Sequence, residues 1–135
     1  MVWVGRIAVM TLPAEVDISN AGELSRDLAA VVAQDASLVI ADMTATTFCD
    51  SAGVTALVRA VRQANASGTG LRVAAAAPAV TRVLAITGVD RLIEIYPSVA
   101  AALADPGNDA AGQGHAARPG AAGQADPGGR ASQPG

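Results

Sequence analysis

Lysine is missing from this chain: all nine basic side chains are arginine. Against twelve Asp and Glu they leave a net charge of −3, and no stretch gathers cations together. A nucleic-acid backbone is bound largely by neutralising its phosphates, which needs such a cluster, so no nucleic acid is expected as partner. There is one cysteine, Cys49, and one histidine, His115. A lone cysteine excludes an internal disulfide and fits a cytoplasmic setting. With no His/Cys cluster, neither a metal nor a cofactor is expected. No apolar run approaches the roughly 18 residues of a membrane span, so no membrane is expected either. The opening residues lack the basic-then-apolar layout of a secretion signal. Aromatics are scarce too, only Trp3, Phe48 and Tyr96, so a core drawn from 51% hydrophobic residues must be built from Val, Leu, Ile and Ala.

What is present reads as one domain followed by a different kind of sequence. Met1–Val4 and Ile7–Leu12 are short apolar runs around Gly5-Arg6 and predict a hairpin. Ala14–Asp17 follows as a strand end or loop. Asn20 with Glu23 three residues later has the spacing of a capping box, and Leu24, Leu28, Val31 and Val32 recur at helical period. Leu38–Ala41 reads as a strand buried on both faces. Phe48 is expected to pin the Met43–Phe48 loop to the core. A second helix is expected from Ser51 to about Asn65, with Val54, Leu57, Val58 and Val61 inward, stopped by Ser67–Gly70. Then come a strand at Leu71–Ala75, a helix opened by Pro78 and lined by Val80, Val83, Leu84 and Ile86, a strand at Leu92–Ile95, and a helix capped by Ser98. The alternation predicts an α/β fold: a mixed, mostly parallel sheet of about four to five strands with about four helices. So few and such short helices leave one sheet face partly open or covered by a partner. Residues 1–104 form the predicted domain. Residues 105–135 are Gly/Ala/Pro-rich; after residue 105 there is no Val, Leu, Ile, Met or aromatic residue, and disorder is expected there.

The chemistry concentrates at Cys49-Asp50-Ser51-Ala52-Gly53, between a strand and a helix. A serine there is at least an N-cap. Three features point further. Asp50 sets a carboxylate beside the hydroxyl, Ala52 and Gly53 leave room for another protein, and sites in open α/β sheets collect at this edge. Asp17 is the second candidate, since it ends a strand ahead of a helix. A nucleophile elbow is not expected, because the first glycine is absent and the only histidine, His115, lies in the tail. Cys49 has no partner base in the predicted domain and reads as a small buried residue.

These residues carry a resemblance. Ala14-Glu15-Val16-Asp17, then Asp42-Met43-Thr44 leading to Phe48-Cys49-Asp50-Ser51-Ala52-Gly53-Val54, then Pro78–Leu84 running into Ile86-Thr87-Gly88-Val89, resemble the STAS domain of bacterial anti-sigma factor antagonists over roughly residues 1–104. The resemblance implies that Ser51 accepts phosphate from an anti-sigma factor that is itself a kinase of the histidine-kinase-like ATPase fold. It implies a PP2C-type phosphatase that reverses the modification, and a docking surface formed by Asp17, Asp50, Ser51, Ala52, Gly53 and Val54. Ala14 stands where the family usually has glycine, and Ala52 where many members carry a second hydroxyl. The implied role is that of a non-enzymatic cytoplasmic antagonist, switched off by phosphorylation and thereby regulating sigma-factor-dependent transcription. The alternative is a STAS-type accessory subunit of a lipid-transport ABC ATPase assembly.

Overall fold

Residues 1–106 are described by a computed structural model. Nearly all of the segment expected to be disordered, His115 included, lies outside the described residues. Seven strands and four helices follow in order: β1 Val2–Val4, β2 Ile7–Thr11, β3 Glu15–Val16, α1 Ala21–Val32, β4 Leu38–Met43, β5 Phe48–Cys49, α2 Ser51–Ala66, β6 Gly70–Ala75, α3 Pro78–Ile86, β7 Glu94–Tyr96 and α4 Val99–Ala104. Five strands make the main sheet in the order β1-β2-β4-β6-β7, and β3 with β5 makes a separate two-stranded sheet. β1 runs antiparallel to β2, and every other pairing is parallel. Gly5, at φ +61°, turns the hairpin in the left-handed region that only glycine enters without cost.

The central run Leu38–Met43 lies between β2 and β6, and its register sorts the side chains. Ala8, Val39, Ala41, Met43, Leu71, Val73 and Ala75 face one way. Leu24, Leu28, Val31 and Val32 of α1 cover them, with Val54, Leu57, Ala60 and Val61 of α2 and Val80 and Leu84 of α3. Val9, Leu38, Ile40 and Ala74 face the other way, against Ala102 of the six-residue α4. Beyond α4 this second face opens: Val2 and Val4, opposite Val9 and Ile7 in the hairpin, stay exposed.

Arg72 sits on that second face at 2% exposure. Its Nη1 donates to the carbonyls of Ala102 and Asp105, each at 2.6 Å. Its Nε lies 3.4 Å from Glu94 Oε1, and its guanidinium carbon 5.3 Å from the centre of the Tyr96 ring. The Tyr96 hydroxyl donates to Asp105 Oδ2 at 2.6 Å. One arginine thus holds the end of α4 onto the sheet.

Three local expectations are corrected. The Asn20–Glu23 capping box does not form. Asn20 turns back instead, taking the Asp17 N–H on Oδ1 at 3.0 Å and giving Nδ2 to the Glu15 carbonyl at 2.8 Å. Ile86 is 77% exposed, because two residues beyond Leu84 is about 200° around a helix and leaves the inward stripe. The last strand begins at Glu94, since Gly88 at φ +82° opens a 3-10 turn over Val89–Arg91 that uses up the residues before it. Ser98 does cap α4, accepting the Ala101 N–H at 3.0 Å.

Candidate functional site

Two connections leave the carboxyl ends of β2 and β4 and are tied to each other. The Leu12 N–H reaches the Asp42 carbonyl, and the Thr47 N–H reaches the Ala14 carbonyl. Thr46, fully buried, donates its hydroxyl to the Pro13 carbonyl at 2.8 Å. That threonine pins the loop, and not Phe48 as expected. In β5 the alternation turns Cys49 inward at 4% exposure and Phe48 outward at 49%. Glu15 pairs with Phe48 and Val16 with Cys49, and the Asp50 N–H extends the ladder to the Val16 carbonyl at 3.1 Å. Past the Val16–Cys49 pair the ladder ends: Asp17 and Ile18 enter the turn before α1, Asp50 and Ser51 enter the start of α2, and both connections leave the same end of the small sheet.

Asp50, not Ser51, is the N-cap of α2. Its Oδ1 accepts the N–H groups of Ala52 at 2.9 Å and Gly53 at 3.1 Å. Ser51 is the first helical residue, and it is exposed. Among the described residues its hydroxyl makes no hydrogen bond, whereas its carbonyl takes the Thr55 hydroxyl at 2.9 Å. The unpaired N–H groups of a first helical turn, with the helix dipole, make this end favourable to a bound anion.

Gly53 explains how close α2 comes to the two-stranded sheet. A Cβ there would stand 2.7 Å from Cys49 Sγ and 2.7 Å from Val16 Cγ1. Val54 next to it is a core residue. Gly53 and Val54 therefore face inward and set the spacing, while Asp17, Asp50 and Ala52 are partly exposed.

Asp17 accepts the Ser19 N–H at 2.9 Å and the Ser19 hydroxyl on the same oxygen. That hydroxyl, then the N–H, holds the carboxyl below its ordinary value, so Asp17 is charged at neutral pH. Cys49 behaves oppositely: burial, then the nearby Asp50 charge, pushes the thiol up to about 11. A thiol held protonated at neutral pH is a poor nucleophile. Residues 7–25 and 36–58, which supply both connections, contain Glu15, Asp17, Glu23, Asp42 and Asp50 and no arginine. Among the described residues, no group of three or more His, Cys, Asp or Glu is placed to hold a metal. No helix there is long and apolar enough to cross a membrane.

Sequence reasoning missed Ile18, which is 82% exposed at the tip of the Asp17–Asn20 turn. The available signal was an apolar residue among polar ones, outside any helical or strand period.

The family model described as STAS domain matches residues 2–102. An anti-sigma factor antagonist from Mycobacterium paratuberculosis is 30% identical, with 72% of this chain and 82% of that one covered and a TM-score of 0.67. A putative anti-sigma factor antagonist from Thermotoga maritima is 20% identical over 74% of this chain and 86% of its own, with a TM-score of 0.68. The anti-sigma factor antagonist SpoIIAA in its unphosphorylated form is 20% identical over 74% and 89%, with a TM-score of 0.63. The latter two likenesses concern the fold alone. Among curated proteins, none matches.

Proposed function

Starting from the fact that this chain belongs to the STAS domain family, and from its likeness to the mycobacterial anti-sigma factor antagonist, we propose that it is an anti-sigma factor antagonist switched by phosphate on Ser51. It works by binding rather than by catalysis. Its partner is an anti-sigma factor of the histidine-kinase-like ATPase fold. In the unphosphorylated state the chain occupies that partner and releases the sigma factor. The partner transfers the γ-phosphoryl group of ATP to Ser51 Oγ, with ADP leaving and the hydroxyl proton lost, and the complex comes apart. A PP2C-type phosphatase hydrolyses the phosphoserine and restores the antagonist.

The observation that carries this reading is the state of the Ser51 hydroxyl. It is exposed at a helix start, free of hydrogen bonds to described residues, and followed by the small residues Ala52 and Gly53. Phosphate there adds about −1.5 to −2 charges beside Asp50. Nearly complete switching needs about 5.5 kcal/mol of differential affinity. Removing a hydrated dianion from water against a docked surface is a cost of that order.

Incubation with the anti-sigma factor kinase and ATP, followed by intact mass, tests the reading. Wild type gains one phosphate and Ser51→Ala gains none, while Ser51→Asp folds but loses the partner. Equal modification of Ser51→Ala, or an unmodified wild type, overturns it.

A further inference from the structure

We propose that Ile18 and Phe48 are the apolar anchor by which this chain seats a protein partner, that the receiving pocket is bordered by basic side chains, and that phosphate on Ser51 acts by unseating Ile18. The second half rests on the reading of Ser51 as the switch; the anchor stands on its own geometry.

A single exposed apolar side chain is ordinary on a protein surface. These two differ in where they are and how they are held. Both belong to the connections joined by the two-stranded sheet, Phe48 directly and Ile18 two residues beyond Val16. One of only three aromatic residues in the chain is thus turned outward beside the site. The turn that presents Ile18 is closed from both sides. The Asp17 N–H goes to Asn20 Oδ1, the Ser19 N–H to Asp17 Oδ1, and Asn20 Nδ2 to the Glu15 carbonyl. The N–H groups of Asn20 and Ala21 both go to the Asp17 carbonyl. Isoleucine is itself stiff at χ1. A rigid apolar group on a rigid turn loses little freedom on binding, which is what separates an energetic anchor from a passive contact.

Charge identifies the occupant. The loops around the anchor carry Glu15, Asp17, Asp42 and Asp50 and no arginine, so the complementary surface is basic at its rim and apolar at its centre. Such a rim attracts the acidic edge from a distance in both phosphorylation states, and governs the association rate. The apolar seat governs dissociation. Ile18 and Ser51 each lie two residues past the paired Val16 and Cys49, so both stand at the same end of the two-stranded sheet. A dianion there keeps its water, and the isoleucine cannot be dried while its neighbour stays hydrated. Phosphorylation therefore raises the dissociation rate and leaves the association rate nearly unchanged.

The test uses the full chain against purified anti-sigma factors of the histidine-kinase-like ATPase fold from the source organism, with rates read by biolayer interferometry. Ile18→Ser and Phe48→Ser are each expected to weaken binding at least about tenfold through faster dissociation, with unaltered thermal midpoints, while Ile18→Leu keeps wild-type affinity. A factor that phosphorylates Ser51 yet binds Ile18→Ser and Phe48→Ser like wild type sinks the anchor and leaves the switch standing. A factor whose binding needs both side chains but which never modifies Ser51 sinks the switch and leaves the anchor. Absence of binding to every such factor overturns both.

Discussion

On one face of the main sheet Leu28, Val39, Leu57, Val61, Val73 and Leu84 interlock as side chains without a charge among them. On the other, a helix of six residues is laced down through a buried arginine. The first face has α1 and α2, of 12 and 16 residues, each long enough to present a full apolar stripe. At about 25 cal/mol per Å² such stripes need no polar help. α4 buries only Ala102 completely, with Val99 and Leu103 partly covered. Too little apolar area is available there, and directional bonds from a charged donor, about 1.5–3 kcal/mol each, make up the difference. The contrast shows that buried charge appears where a covering element is too short to adhere by area alone.

The contrast can be broken by paired substitutions followed in denaturant unfolding. Leu57→Ala, at a fully buried position on the first face, is expected to cost about 3 kcal/mol and to lower protection from hydrogen exchange throughout the core. Arg72→Met keeps most of the volume but leaves the Ala102 and Asp105 carbonyls without their donor. It is expected to cost about 2 kcal/mol, with exchange rising first in α4. If Arg72→Met leaves stability unchanged, the second face is held by area after all. Gly53→Ala carries the question to the two-stranded sheet. The added methyl must displace Cys49 and Val16, and about 1.5 kcal/mol of destabilisation is expected, with loosened exchange at residues 15–17.

The smallest effect is an alkaline slope from Cys49, on the larger core. Unfolded, the thiol releases its proton near its ordinary 9.0, whereas the folded chain holds it to about 11. The unfolded state then binds fewer protons, so this contribution is complete below pH 9 and fades as pH rises to about 11. Cys49→Ala is expected to flatten the stability curve across that window.

The sequence made the large elements plain for a physical reason. Leu24, Leu28, Val31 and Val32 of α1, and Leu38–Ala41 of β4, repeat over enough residues for a period to be read. β3 and β5 contribute two residues each, and two residues have no period, so the small sheet that ties Val16 to Cys49 stayed hidden. The same shortness concealed that Phe48 points out and Cys49 in. Arg72 was invisible for another reason: nothing local distinguishes an arginine that will be covered by a helix arriving thirty residues later. The site stretch itself was legible, but adjacent Asp50 and Ser51 are both good caps, and only the folded backbone chooses between them.

That choice has a consequence for how such a chain changes over time. With the helix start secured by the carboxylate next door, the serine has no architectural duty of its own. Threonine, alanine or aspartate in its place leaves the scaffold whole. Under the proposed switch at Ser51, a permanently active or permanently silent version of the same domain is therefore one codon away, and regulation can be retuned or retired without rebuilding the fold that displays it.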